Sequence, residues 1–392
     1  MSVEERVEEI LERVARAVTP SREERERLDS VLEKVVRALE ELRGKYSIDY
    51  AVEIVGSYAK DTWLSGEADI DVFLLFSPEV PEEEMGVMGL RIAREAVARL
   101  GGVCLEKYAA HPYVEAHVEG VTMDIVPAYR VQRASEIISP VDRTPFHTRY
   151  VAQRLNEDLR REVRLLKKFM KGIGVYGAEI RVQGFSGYLV ELLVLYYGSF
   201  LNVLREARSW RPRRVFIDLE GYYGERERKR LLKTMPGAMV VVDPVDKSRN
   251  VASALSIQRF CEFVAAARVF LEKPSIHFFF PPPLELRDEG FVREVIERRG
   301  TDIVALVTRL PPMPEDIAWG QIYKSLEGLA RLLERHEFRV YGTGAWLGGD
   351  GTLVMLFELE SSRLPAIEKH CGPPVGSKNE RDFLEKLSLI HI

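Results

Sequence analysis

The sequence predicts an α+β protein of several domains, and three observations carry that reading. Short apolar, β-prone runs sit between amphipathic helical stripes in the N-terminal third. A helix-dominated middle follows, and beyond a proline-rich junction strands alternate with helices again. At 392 residues the chain is also too long for one ordinary core.

Two amphipathic helices open the chain. Thr19-Pro20 ends the first, and Ser21 with Glu24 predicts a capping box for the second. Leu28, Val31, Leu32, Val35, Leu39 and Leu42 form its stripe, and both helices are expected to pack on the sheet that follows. Residues 51–55 read as a buried strand. Gly56 then allows a sharp turn, and the N–H groups opening a short helix, with the Ser57 hydroxyl, can hold a phosphate. Residues 71–76 read as a second buried strand. Asp69 and Asp71, two apart, share a face, while Ile70 points away. Paired carboxylates repel unless a cation sits between them, and hard divalent cations prefer such ligands. Residues 114–118 and 121–126 read as a hairpin turning at Glu119-Gly120, with Asp124 between the inward Met123 and Ile125. A charge inside an apolar strand is costly unless paired or metal-bound. A lone Gly-Ser is an ordinary turn and a lone Asp-x-Asp an ordinary strand end. The ordered combination fits two-metal phosphoryl transfer, in which ions about 3.5–4 Å apart clamp the attacking and leaving oxygens.

Leu155, Leu159, Val163, Leu166 and Met170 form a further helical stripe. Lys167 lies beside it, and on pattern alone is a solvated helix lysine. Helices continue to about Leu271, interrupted by an expected strand at 238–243 that delivers Arg249. Pro274 and Pro281 to Pro283 mark a linker. A helix at 291–298, a strand at 303–310, a helix at 323–336 and paired strands at 339–346 and 352–359 then predict a ferredoxin-like or RNA-recognition-like domain. The expected division is 1–145, 146–272 and 273–392.

Composition narrows the class. Charged residues make up 30%, mostly Arg and Glu, which points to ion-pair networks and a thermophilic source. Cys104, Cys261 and Cys371 are far apart, with no zinc spacing or disulfide framework, so a reducing cytoplasm is expected. The charged N-terminus is no signal peptide, and the apolar run 188–200 contains Glu191 and is too short to span a bilayer, so no membrane partner is expected. A net charge of −5 argues against general nucleic-acid binding. A local cluster does not: Arg205, Arg208, Arg211, Arg213, Arg214, Arg226, Arg228, Lys229, Arg230 and Lys233 could follow phosphates. Trp210, Tyr222 and Tyr223 among them could stack on bases, or be core aromatics of a solvated helix pair.

These residues carry a resemblance. GSYAKDTW, DIDVFLLF and VTMDIVP, in that order, resemble the catalytic core of the polymerase-β-like nucleotidyltransferases. His111-Pro112-Tyr113, Arg143 to His147, Arg164 to Lys167, Tyr176 to Glu179, Gly184 to Tyr188, and Asp243 to Asp246 with Arg249-Asn250 narrow it further. The set resembles the archaeal (class I) CCA-adding enzymes, the tRNA nucleotidyltransferases, from about the second helix to near residue 387. The resemblance implies a nucleotidyltransferase palm, a helical central domain and a tRNA-binding C-terminal domain. It implies Mg²⁺ held by Asp69, Asp71 and Asp124, with Asp124 completing the ion that activates the 3′-hydroxyl. Ser57 and Lys60 would hold the triphosphate, His147, Lys167 and Tyr176 would complete the nucleotide site, and Arg249 would read the base edge. The implied partners are the tRNA acceptor end, ATP and CTP, with a homodimer left open. Residues 388–392 do not look like the family's continuation, which implies that part of its tail is missing. The rival readings are another nucleotidyltransferase, poly(A)-adding or small-molecule adenylylating, and a catalytically dead RNA-binding module.

Overall fold

The first helix, α1 (Val3–Val18), opens in a complete capping box, with Ser2 Oγ accepting from Glu5 N and the Glu5 carboxylate accepting from Ser2 N. The second, α2 (Arg22–Glu41), keeps half of that device. Ser21 Oγ accepts from Glu24 N, but the Glu24 carboxylate turns away to Ser65 Oγ and Gly66 N. The reciprocal bond the sequence predicts is therefore traded for a tie to a loop. We describe a computed structural model covering residues 2–46, 48–108, 112–283, 288–365 and 372–388. His111 lies outside the described residues.

The elements that follow are β1 (Tyr50–Val55), α3 (Gly56–Ala59), β2 (Ile70–Phe76), α4 (Glu82–Arg99), β3 (Val103–Tyr108), β4 (Pro112–Val118) and β5 (Val121–Tyr129). They form one sheet of order β1-β2-β5-β4-β3, in which only β2 and β5 run parallel. Alternation sends Ile70, Val72, Leu74 and Phe76 into a core shared with α2 and α4. Phe73 and Leu75 pack on the other face with Val55 and Ala128. The β4–β5 hairpin turns at Glu119 and Gly120, with φ of 48° and 74°, the mirror-image turn that suits strand twist. α1 does not pack on this sheet, contrary to expectation. Its face of Val7, Leu11, Val14 and Val18 belongs to the helical core of the middle region.

That region comprises α5 (Thr144–Ala152), α6 (Glu157–Gly172), α7 (Gly187–Tyr197), α8 (Phe200–Ala207), β6 (Phe216–Ile217), α9 (Glu225–Thr234), β7 (Val240–Val241) and α10 (Ile257–Glu272). Asn156 caps α6, so Leu155 precedes the helix although it is buried. The strand expected at 238–243 shrinks to β7, two residues paired in parallel with β6. Phe169 sits among Phe200, Phe263 and Phe270, with ring centroids 5.4–6.2 Å apart. Trp210 stacks on Phe260 and is buried, so it is a core residue and not a platform for bases. Among the described residues no single helix is long and apolar enough to cross a membrane, and α7 with α8, apolar together, bends by 91°.

Contacts divide the chain into Met1–Leu284 and Glu285–Ile392. The second unit holds α11 (Glu289–Arg299), β8 (Asp302–Arg309), α12 (Glu315–Arg335), β9 (Val340–Leu347), β10 (Thr352–Leu359) and α13 (Glu380–Ser388). Its antiparallel sheet has the order β8-β10-β9. α12 starts at Glu315, earlier than the 323–336 expected, because Ala318, Trp319 and Ile322 extend its buried stripe.

Candidate active site

The site begins at Gly56, between β1 and α3. Its φ is +75°, and a Cβ there would lie 1.9 Å from Asp71 Oδ2, so only glycine lets the turn pass over that carboxylate. Gly56 N donates to Thr148 Oγ1 at 3.1 Å, which ties the turn to α5. α3 has only four residues, too few for a strong helix dipole. The helix-terminus argument for a phosphate is therefore weak here, and the Ser57 hydroxyl is the donor that lines the cavity.

Parallel pairing sets Asp71 of β2 opposite Asp124 of β5, and antiparallel pairing sets Glu115 of β4 opposite Asp124. Ser57, Lys60, Asp69, Asp71, Asp124, Lys167 and Tyr176 all line one cavity of about 410 Å³, together with Glu115, Tyr188 and Glu191. Burial, then the charges of Asp124 and Asp69, push the Asp71 carboxyl up to about 7. Burial, then Glu115, push Asp124 up to about 6. Glu115 itself is held low, chiefly by its bond from Lys107.

Among the described residues, no group of three or more histidine, cysteine or acidic side chains is already drawn together to hold a metal ion. The donor set is nonetheless hard, anionic and mutually repelling, which suits a divalent cation in an open site. The raised carboxyls give a test. Between about pH 4 and pH 7 the folded protein keeps protons that the unfolded chain has released, so this pair's contribution to stability falls as pH rises through that window. In chelator, Asp71→Asn should melt higher than wild type at about pH 8, by a few degrees. A divalent cation should raise the wild-type melting temperature more than that of the variant. Calorimetry showing identical pH profiles for both proteins would remove the carboxylate repulsion from the account.

The cationic wall differs from expectation. Lys60 and Lys167 are only 6% and 3% exposed, and both turn to Glu191, which is 0% exposed. Lys60 Nζ donates to Glu191 Oε2 at 2.5 Å, and Thr62 Oγ1 donates to Oε1 at 2.6 Å. Lys167 Nζ donates to Thr62 O and Oγ1 and lies 3.5 Å from Glu191 Oε1. Lys167 is thus no solvated helix lysine; burial lowers it to about 8 against the opposing pull of Glu191. The sequence reading missed Glu191's role, although a lone carboxylate inside the run 188–200 was a signal.

His147 and Arg249 meet elsewhere in this unit, on Asp243. Asp243 Oδ2 accepts from His147 Nε2 and Arg249 Nη1, both at 2.9 Å, and Oδ1 accepts from Tyr188 Oη and Val245 N. Burial lowers the His147 pKa against the opposing pull of Asp243. Burial alone would raise the Asp243 carboxyl, but His147 and its other donors outweigh it and keep it ionised. The His147 ring also stacks on Tyr188, which lines the cavity, at 3.9 Å.

Three family models match the chain: "Nucleotidyltransferase domain" over 32–147, "tRNA nucleotidyltransferase, second domain" over 161–280 and "CCA-adding enzyme, C-terminal domain" over 299–391. The CCA-adding enzyme of Methanothermobacter thermautotrophicus is 43% identical over 88% of this chain and 74% of that one. The CCA-adding enzyme of Methanopyrus kandleri is 42% identical over 96% and 79%. Among solved structures, a cytoplasmic RNA terminal U-transferase superposes with a TM-score of 0.54 at 16% identity, over 71% of this chain and 96% of that one. The Cid1 poly(U) polymerase with Mg and 3′-dATP gives 0.52 at 17%, over 72% and 98%. These two show the fold alone. Three consecutive family models and relatives matched over most of both chains agree with the carboxylate geometry: the chain belongs to the archaeal CCA-adding enzymes, within the polymerase-β-like nucleotidyltransferases.

Proposed function

We propose that this protein adds C, C and A to the 3′ end of tRNA without a template, using CTP and ATP and releasing pyrophosphate. The observation that supports it best is Asp71 facing Asp124 across a parallel strand pair, beneath a glycine turn and beside two lysines in one cavity. The tRNA 3′-oxygen attacks the α-phosphorus, and the bond to the β-phosphate oxygen breaks. Asp69, Asp71 and Asp124 would hold Mg²⁺, which supplies the charge that makes the hydroxyl more acidic and screens the triphosphate. Ser57 donates its hydroxyl to the phosphates, and Lys60 and Lys167 set a positive wall beside them. Tyr176 and His147 bound the ribose side. Arg249, held through one nitrogen by Asp243, offers the rest of its planar fork to a base edge. U and G are rejected because their mismatched edges leave buried polar groups unpaired. The cytoplasm is the compartment this activity calls for.

Arg249→Ala tests the base-reading role. It should raise misincorporation of U or G relative to C and A by about tenfold or more, with tRNA affinity unchanged. Equal slowing of all four nucleotides would assign Arg249 to general positioning.

The tRNA backbone would run along the basic segment. Arg211, Arg213 and Arg214 of that segment are exposed. Arg226, Arg230 and Lys233 are exposed too and lie together on α9. Replacing these three with Ala should flatten the slope of log affinity for tRNA against log salt by roughly 0.7–0.9 per lost contact. CTP affinity should stay unchanged, and an unaltered slope would move the phosphate track off α9.

A further inference from the structure

We propose that Glu191 is a positioning residue for nucleotide binding, its carboxylate fixing Lys60 and Lys167 side by side in the cavity wall. The proposal rests on the reading that these lysines face the triphosphate. Glu191 sits on α7 among Leu189, Val190, Leu192, Leu193 and Val194, all buried. A carboxylate in such surroundings is unfavourable unless paired, and a complete set of apolar side chains would serve stability as well or better. The arrangement is also unbalanced. One carboxylate meets two ammonium groups, so the cluster keeps one surplus positive charge, and all three side chains border the cavity that holds Asp69, Asp71 and Asp124. A nucleoside triphosphate brings the negative charge that such a wall attracts.

Thr62 links the parts. Its hydroxyl donates to Glu191 Oε1 and accepts from Lys167 Nζ, which fixes the direction of both. Gly187, four residues before Glu191 and so on the same helix face, lets α7 approach closely. A Cβ there would lie 2.9 Å from Tyr176 Oη and 3.9 Å from Lys167 Nζ. Without the Glu191 charge, two buried ammonium groups would face each other unpaired. Lys167 would shed its proton or its position.

The test uses the full chain, Mg²⁺, CTP or ATP, and tRNA lacking its 3′ end. Glu191→Gln should raise KM for CTP and ATP alike, by about tenfold or more, with base discrimination and tRNA affinity unchanged. Glu191→Asp, which keeps the charge, should recover most of that loss. In the triple variant Lys60→Met, Lys167→Met, Glu191→Leu all three charges leave together. It should melt within a few degrees of wild type and lose triphosphate affinity by calorimetry. Folded Glu191→Gln with wild-type KM for both nucleotides would overturn the proposal. So would equal losses in the Asp and Gln variants, an unfolded triple variant, or a triple variant that binds CTP normally. If wild type itself adds no C or A to tRNA, it is the function reading that fails. Calorimetry with CTP still decides the role of Glu191 in that case.

Discussion

Asp71→Asn should lose incorporation by several powers of ten and still fold. Asn keeps the side-chain shape under the Gly56 turn and opposite Asp124, so the packing of β2 against β5 is undisturbed. It removes the charge from the most buried carboxylate of the proposed metal set, and a metal clamp supplies several kcal/mol of transition-state stabilisation. The variant should also be at least as stable as wild type in chelator, because a repelling charge has gone. Inactive yet stable is a signature that a damaged fold does not give. Near-normal incorporation, measured with labelled CTP on tRNA lacking its 3′ end, would sink the assignment.

Gly56→Ala should be the second large effect. The added Cβ meets Asp71 Oδ2 at 1.9 Å, and a φ of +75° is itself unfavourable for alanine. Tyr50 to Val55 are paired residue by residue with Asp71 to Phe76, and the Gly56 amide is bonded to Thr148, so the backbone has little room to yield. The carboxylate must move instead. Displacement of a reacting geometry by about 1 Å can cost about a hundredfold, so kcat should fall by that order. The melting temperature should drop by a few degrees. Wild-type kcat in this variant would mean that the turn and the carboxylate are not coupled.

The sequence made the strand framework legible because period-two alternation and the Glu119-Gly120 turn are local signals. Asp71 and Asp124 were legible for the same reason, since spacing along a strand fixes which face each takes; Asp69 lies just before β2, not on it, and reaches the same cavity from the loop. What α1 packs against was not legible. An amphipathic stripe says that a face is buried, not against which partner, and α1 joins the helical core. Glu24 was misleading, since the sequence could not show that Ser65 and Gly66 would compete for its carboxylate. Trp210 had two readings, and packing against Phe260 and Phe263 decides for the core. In the site, Glu191, Asp243 and Glu115 escaped notice as partners because their roles lie in long-range contacts. Lys60 and Glu191 are 131 residues apart, and His147 and Asp243 are 96 apart. The neighbours of Glu191 show only that an ionisable group lies in an apolar helix, not what neutralises it.

The most direct measurement is incorporation by the purified protein, with Mg²⁺, of each labelled nucleoside triphosphate in turn into tRNA that lacks its CCA end. The account predicts that CTP alone adds two residues and stops. ATP should add one residue only after both C residues are in place, and UTP and GTP should add almost nothing. A lengthening tail of a single nucleotide, or no Mg²⁺-dependent incorporation at all, would contradict it.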